Sequence, residues 1–293
     1  MLYNYFPVKV RKAIKNCLET YSDIEEIRVR CGQNIVFCNL SGKWFADSFG
    51  NFTKNSENGI KLYKDDLKEM LKYFTQNSVY AMQQDIKNGF ITLTDGTRVG
   101  LGGRGVVKNG CIENINNIFS YNIRIPRQVA GWGVDLFEKI KVNNKNVLII
   151  APPGLGKTTL LRNMIKYASD CGKNISVIDE KCEIVPIADG RLIFDLGQNT
   201  DVLSDVPKNC GINIMLRTMN PEIIAIDELL TEEDFDVVKN ASASGIKIFA
   251  TFHGKCKEDY LLKVKKFGAD ELKFDCYIAI AQNEKGERIA EEI

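Results

Sequence analysis

Residues Asn146 to Leu160 read NVLIIAPPGLGKTTL, an apolar run, a turn rich in proline and glycine, and a Gly-Lys-Thr triplet that opens an amphipathic stretch. This order constrains the chain more than any other segment, because it prescribes a strand, a phosphate-binding loop and a helix in succession. Backbone N–H groups of such a loop surround a β-phosphate, the lysine bridges β- and γ-phosphates, and the hydroxyl after it holds Mg²⁺. The flanks agree with this, since Val147 to Ile150 suit a buried parallel strand, while Leu160, Leu161, Met164, Ile165 and Ala168 recur at helical spacing. We therefore assign nucleoside triphosphate binding to Pro153, Gly154, Leu155, Gly156, Lys157, Thr158 and Thr159, with Mg²⁺ on Thr158. One departure from the pattern is Ala151 in place of its first glycine. Its cost depends on the sign of φ at that residue.

A second constellation gives the loop its chemistry. Ile223 to Ile226 is an apolar run that ends in Asp227-Glu228. In a P-loop fold this is the expected second strand, with Asp227 orienting the Mg²⁺ shell through water and Glu228 polarising the attacking water. Val177-Ile178-Asp179-Glu180, with Glu183 three residues further, brings more carboxylates to the edge of the sheet where ligands bind. The same letters also fit a solvated acidic turn paired with Lys181. The single histidine, His253, follows the strand Ile246 to Thr251, where it and Thr251 can contact the γ-phosphate or its water. The lack of a second histidine and of clustered cysteines argues against a metal role for it. Hydrolysis also needs a cation against the leaving phosphate, often an arginine from a neighbouring subunit. The candidates are Arg98, Arg104, Arg124 and Arg127, with Arg217 ahead of the Asp227 strand.

The 293 residues suffice for two domains. The expected architecture is a small α+β N-terminal domain over 1–124, a linker over 125–135 and a P-loop (RecA/AAA-like) α/β domain over 136–293 with a mostly parallel sheet. In the first domain a helix at Val8 to Leu18 precedes short strands at Ile24 to Arg30, Asn34 to Cys38 and Gly42 to Ala46. A helix at Lys64 to Phe74, another capped by Ser78, and a hairpin unit from Phe90 to Val107 follow. IPRQVAGWGVD concentrates proline and glycine and reads as the linker, and strands at 147–151, 175–178, 222–226, 246–251 and 276–281 alternate with helices beyond it. Gly100 to Gly105 matches G-x-G-x-x-G by letters, but Val106 and Val107 continue a strand where a dinucleotide site needs a helix, so it reads as turns and bulges.

With 39 basic and 38 acidic residues, the chain is balanced, which argues against coating nucleic acid or anionic lipid by bulk charge. Nine cysteines without C-x-x-C spacing suit reduced thiols in a cytosolic protein. The N-terminus lacks a secretory apolar region, and no stretch has the apolar length of a membrane span, so any membrane role runs through protein partners.

Read together, these stretches resemble the stage III sporulation protein AA family, AAA-type ATPases related to type II and type IV secretion and pilus ATPases. The likeness is carried along nearly the whole chain by IEEIRVRCGQNI, SVYAMQQDIKNGFITLTDGTRVGLGGRG, NIRIPRQVAGW, APPGLGKTTLLRN, VIDEKCEI, DVLSDVPK, RTMNPEIIAIDE and IFATFHG. The resemblance implies catalytic roles for the acidic box Asp179-Glu180 with Glu183, for Glu228, and for the threonine-x-histidine pair Thr251 and His253. It further implies a homo-oligomeric ring, a hexamer, with ATP and Mg²⁺ at subunit interfaces reached by N-terminal arginines. Its place would be the mother-cell cytoplasm, docked on inner-membrane proteins of the sporulation channel at the forespore membrane and energising assembly or transport. Lys181-Cys182, where Arg-Ser is typical, and Pro126 before Arg127 depart from the family pattern. Two other readings stay open from the residues: a P-loop translocase of nucleic acid, which the charge balance and the lack of a basic, aromatic-interleaved stretch weigh against, and a nucleotide-gated scaffold with negligible turnover.

Overall fold

The computed structural model describes residues 1–39, 42–78, 82–108, 110–188, 190–268, 272–283 and 287–293. The chain forms two compact units, Met1–Arg127 with Ile187–Ile193, and Gln128–Pro186 with Phe194–Ile293.

The first unit is built from α1 (Val8–Thr20), β1 (Glu26–Arg30), β2 (Val36–Asn39), β3 (Gly42–Ala46), β4 (Phe52–Thr53), α2 (Lys64–Phe74), α3 (Gln83–Lys87), β5 (Phe90–Thr92), β6 (Arg98–Lys108) and β7 (Cys111–Arg124). Seven strands pair antiparallel in the order β4-β3-β2-β1-β7-β6-β5. Strand β1, EIRVR, shows why one face closes: Ile27 and Val29 are fully buried while Glu26, Arg28 and Arg30 stay partly exposed. They join Phe6, Ile14, Phe37, Met70 and Phe74 in one core. Helix α3 begins at Gln83, beyond Ser78, whose N–H instead closes a turn on Thr75, so Ser78 does not cap it; Val79 to Ala81 lie outside the described residues. Gly100 to Gly105 lie inside β6, with a register shift between Gly102 and Arg104. A Cβ on Gly103 would come within 2.8 Å of the Asn116 carbonyl, so a glycine there permits close strand approach rather than dinucleotide binding.

The second unit contains α4 (Val134–Ile140), β8 (Val147–Ala151), α5 (Lys157–Asp170) and β9 (Ile175–Asp179). The hairpin β10 (Ile187–Ala188) and β11 (Arg191–Leu192) then belongs to the first unit, a piece that the sequence reading places in the C-terminal domain. The second unit resumes with β12 (Thr200–Ser204), α6 (Lys208–Thr218), β13 (Ile223–Ile226), α7 (Glu232–Ala243), β14 (Lys247–His253), α8 (Lys257–Lys266), β15 (Cys276–Gln282) and β16 (Arg288–Glu292). Its sheet runs β12-β9-β13-β14-β8-β15-β16, parallel throughout except for β16, which returns antiparallel to β15. Strands β8, β9 and β13 are buried at every position, as expected for apolar runs covered on both faces.

The segment 125–135 is divided between the units. Ile125 donates its N–H to the Glu25 carbonyl and Arg127 donates to the Asp23 carbonyl at 3.0 Å. Beyond the boundary, Asn163 on α5 donates to the Val129 carbonyl at 2.8 Å and accepts from the Gly131 N–H at 3.1 Å. Among the described residues no helix is long and apolar enough to cross a membrane.

Candidate active site

Register alone brings the polar strand ends of the second unit together. Ala151 pairs with His253, and Ile226 pairs with Ile178 on one side and Ala250 on the other. The next residues, Asp179, Asp227 and Thr251, therefore fall at one level at the C-terminal edge of a parallel sheet. His253 is the last residue of β14 rather than a residue after it, so strand pairing fixes its backbone.

The phosphate-binding loop leaves β8 at Ala151, which is 1% exposed. Positive φ occurs at Gly154 (82°) and Gly156 (99°) and not at Ala151, so alanine at that position carries no backbone strain. Gly156 is the N-cap of α5 and no side chain caps this terminus, which leaves the first N–H groups of the helix directed at the cleft. Lys157 is buried, and its Nζ donates to the carbonyls of Ala151 at 2.8 Å and Pro152 at 3.1 Å and lies 3.5 Å from His253 Nδ1. Burial lowers the pKa of this ammonium, an effect that the charges of Asp227 and Glu228 oppose.

A continuous polar chain runs from the loop through the neighbouring strands. Thr158 Oγ1 donates to Asp227 Oδ2 at 2.7 Å, and the hydroxyl of the fully buried Thr251 donates to Asp227 Oδ1. The same Thr251 hydroxyl accepts from the Glu228 N–H at 2.8 Å, and the Thr251 carbonyl accepts from the Leu229 N–H at 2.9 Å. These bonds hold Glu228 at φ 53°, a left-handed conformation that a glutamate adopts only when its surroundings impose it. Its carboxylate meets His253 Nε2 at 2.9 Å and Lys181 Nζ at 2.7 Å. Burial pushes the Glu228 carboxyl upward, but the Lys181 hydrogen bond and the His253, Lys181 and Lys208 charges outweigh it and hold the group below its ordinary value.

The acidic box separates into distinct jobs. Asp179 is 1% exposed, and its two oxygens accept from the N–H groups of Glu183 at 2.8 Å and of Ile184 and Val185 at 2.9 Å each. Burial raises its pKa against those three hydrogen bonds. The side chain on which the sequence reading places catalysis anchors the loop that carries Glu183, since it is buried and both of its oxygens accept from that loop's main chain. Glu180 turns to the buried Lys208 at 2.8 Å, and Lys208 also meets Asp234 at 3.5 Å. Glu183 faces the cleft with Asp227 and Glu228; burial first, then the Asp227 charge, raises its pKa. Arg162 on α5 donates to the Glu183 carbonyl at 2.6 Å and to the Ile184 carbonyl, closing the same loop from the other side.

A cleft open to solvent joins the phosphate-binding loop to Glu183, Asp227, Glu228, His253 and Arg288. Thr158 and Asp227 give it two hard oxygen donors within hydrogen-bond reach of each other, the donor type Mg²⁺ takes when phosphates and waters supply its other ligands. The four arginines predicted for catalysis lie in the first unit. Arg98 covers the Phe90 ring at 4.1 Å, Arg124 lies 3.9 Å from Glu26, Arg127 lies 3.7 Å from Glu25, and Arg104 is exposed on β6. The sequence reading gives no role to Lys208, Arg162 or Arg288, and it has Lys181 as a turn partner and as a departure from the family pattern. Their partners come from segments tens of residues away, and the one local signal was Lys181 beside the acidic pair.

Comparison with known proteins agrees with this geometry. The family described as sporulation stage III, protein AA, matches residues 1–291. Stage III sporulation protein AA of Bacillus subtilis (strain 168) is 30% identical over 284 residues, 92% of this chain and 88% of that protein. Among solved structures, the pilus retraction motor PilT with bound ADP matches with a TM-score of 0.64 at 15% identity, over 98% of this chain and 82% of its own. The ATPase DotB of Yersinia pseudotuberculosis matches with a TM-score of 0.59 at 14% identity, over 98% and 79%. The fold is that of the P-loop ATPases of secretion and pilus systems, and the chain belongs to the stage III sporulation protein AA family.

Proposed function

From membership of that family, we propose that the chain is an ATP-hydrolysing, ring-forming ATPase that powers assembly of, or transport through, a sporulation channel at the forespore membrane. The observation that carries this reading is the unbroken chain Thr158, Asp227, Thr251, Glu228 and His253, drawn from α5, the end of β13 and β14, around the buried Lys157. In it, Lys157 moves from the loop carbonyls to the β- and γ-phosphates, whose negative charge replaces those weaker acceptors. Thr158 and Asp227 hold Mg²⁺, which when bound neutralises charge on the phosphates. Glu228 orients and deprotonates the attacking water, with Thr251 fixing its backbone and His253 its carboxylate. Asp179 and Arg162 position the Glu183 loop, and Glu180 acts through Lys208.

The arginines Arg98, Arg104, Arg124 and Arg127 complete the site from a neighbouring subunit in this reading. Arg98 and Arg124 are direct cross-strand partners, two like charges of which Arg124 has Glu26 3.9 Å away. The family likeness supports, as part of this proposal, the ring, its hexameric size, the mother-cell location and the inner-membrane partners. Steady-state ATPase of the assembled protein tests the core of the proposal. Wild type turns over ATP while Glu228→Gln binds it and does not, and equal turnover of the two under assembly conditions sinks the reading.

A further inference from the structure

We infer that Arg288, on the C-terminal strand, is a nucleotide-phosphate ligand supplied by the same chain that supplies the phosphate-binding loop. The inference builds on the ATP site proposed above and assigns it a residue that no part of the loop motif contains.

The topology explains how so distant a residue arrives there. Strand β15 lies beside β8 with Ala279 opposite Ile150, so its last residue, Gln282, is three residues further along, level with the loop that follows Ala151. Because β16 returns antiparallel, its first residue, Arg288, pairs with Gln282 at that same edge. The antiparallel strand added to an otherwise parallel sheet thus places a cation where the other strands place their carboxyl ends.

The side chain then reaches the loop itself. Arg288 Nη2 lies 3.4 Å from the Gly154 carbonyl, a long and weak contact. A Cβ on Gly156 would sit 3.2 Å from Arg288 Nη1 and 3.3 Å from the Trp132 ring, so guanidinium and indole together wall the loop at the residue that opens α5. Among the described residues Arg288 has no carboxylate partner, while its neighbour Glu287 accepts from Asn283 at 2.7 Å. A guanidinium bordering a cleft with Lys157, Thr158 and Thr159 presents planar donors to phosphate oxygens, a match that a lone carbonyl does not satisfy.

The test uses full-length protein carrying Trp44→Phe, so that Trp132 is the sole tryptophan, and titrates ADP by calorimetry and by emission. We expect ADP to change Trp132 emission and Arg288→Gln to weaken ADP binding about tenfold, the loss of one charge-assisted hydrogen bond. Arg288→Lys, which keeps the charge, recovers part of that loss. Unchanged ADP affinity in Arg288→Gln, alongside a Lys157→Ala variant that no longer binds, overturns the role of Arg288 and leaves the ATP site standing. ADP binding that survives Lys157→Ala overturns the ATP site and this inference with it. Should Arg288→Gln lower the urea midpoint, Arg288→Lys decides: a lysine variant with a wild-type midpoint that binds ADP more tightly than the glutamine variant supports the proposal, and one that binds as weakly as the glutamine variant defeats it.

Discussion

Each unit carries a seven-stranded sheet, and the two sheets treat their charged residues in opposite ways. In the second unit all strands of the sheet but one point the same way, so Asp179, Asp227, Glu228 and His253 collect at one edge, where main-chain N–H groups, threonine hydroxyls and the Glu228–His253 pair satisfy them. In the first unit every pairing is antiparallel, so strand ends alternate, and Arg98, Arg104 and Arg124 are strung along β6 and β7. A parallel sheet gathers side chains into a site by direction alone. An antiparallel one distributes them over a surface.

Several measurements can break or sharpen that contrast, and the largest effect belongs to Glu228. Its exchange for glutamine removes the general base proposed above and should cut ATP turnover by about 10²–10⁴-fold with ATP affinity retained, read by coupled assay and calorimetry. Thr251→Val comes next. The fully buried hydroxyl serves both Asp227 and the Glu228 N–H, and its loss should cost about 2–3 kcal/mol by leaving both without that partner. The two tryptophans allow the cost to be localised, since Trp44 lies in the first unit and Trp132 in the second. Urea unfolding followed in Trp44→Phe and Trp132→Phe backgrounds should show the loss through Trp132, and an equal loss through Trp44 would erase the contrast.

Asp179→Asn should be milder, about 1–2 kcal/mol, because one amide oxygen replaces two carboxylate oxygens that accept three N–H groups. Its pH dependence has a definite sign. A carboxyl whose folded-state pKa is raised contributes stability that is complete below the ordinary carboxylate range and is lost as the pH rises through the raised value. Stability of Asp179→Asn should lack that decline. Glu228 runs the other way, with stability present above the ordinary glutamate range and lost as the pH falls through its lowered value. Lys181→Met, which removes its nearest cation, should shift the acid limb of the pH–kcat profile upward. The smallest effect is expected for Arg98→Gln, about 0.5–1 kcal/mol on the first unit, since a half-exposed guanidinium gives up its cation–π contact with Phe90, while turnover of the assembled protein falls. If it destabilises the first unit as much as Thr251→Val destabilises the second, the arginines are structural and the contrast fails.

The central strands and the loop were legible because their signals are local. Val147 to Ala151, Ile175 to Asp179 and Ile223 to Ile226 are continuous apolar runs ending in a motif or an acid, as covered parallel strands must be. The edge strands β12 and β16 escaped because TDVLS and RIAEE are part-exposed and polar, and an edge strand needs no apolar run. The hairpin β10–β11 escaped assignment to the first unit because two-residue strands carry no periodicity.

Sequence by itself determined that the chain holds a phosphate-binding loop, a second acidic strand and a threonine-x-histidine strand end, because each is a run of neighbours whose chemistry depends on spacing along the chain. Tertiary structure decided what each residue does there. It placed Ala151 at an unstrained φ, gave Asp179 to the main chain, set Lys181 and His253 on the two oxygens of Glu228, and brought Arg288 to Gly154. The physical reason is that burial and charge pairing follow distance in space, and strand register joins residues far apart in the chain, such as Ala151 and His253.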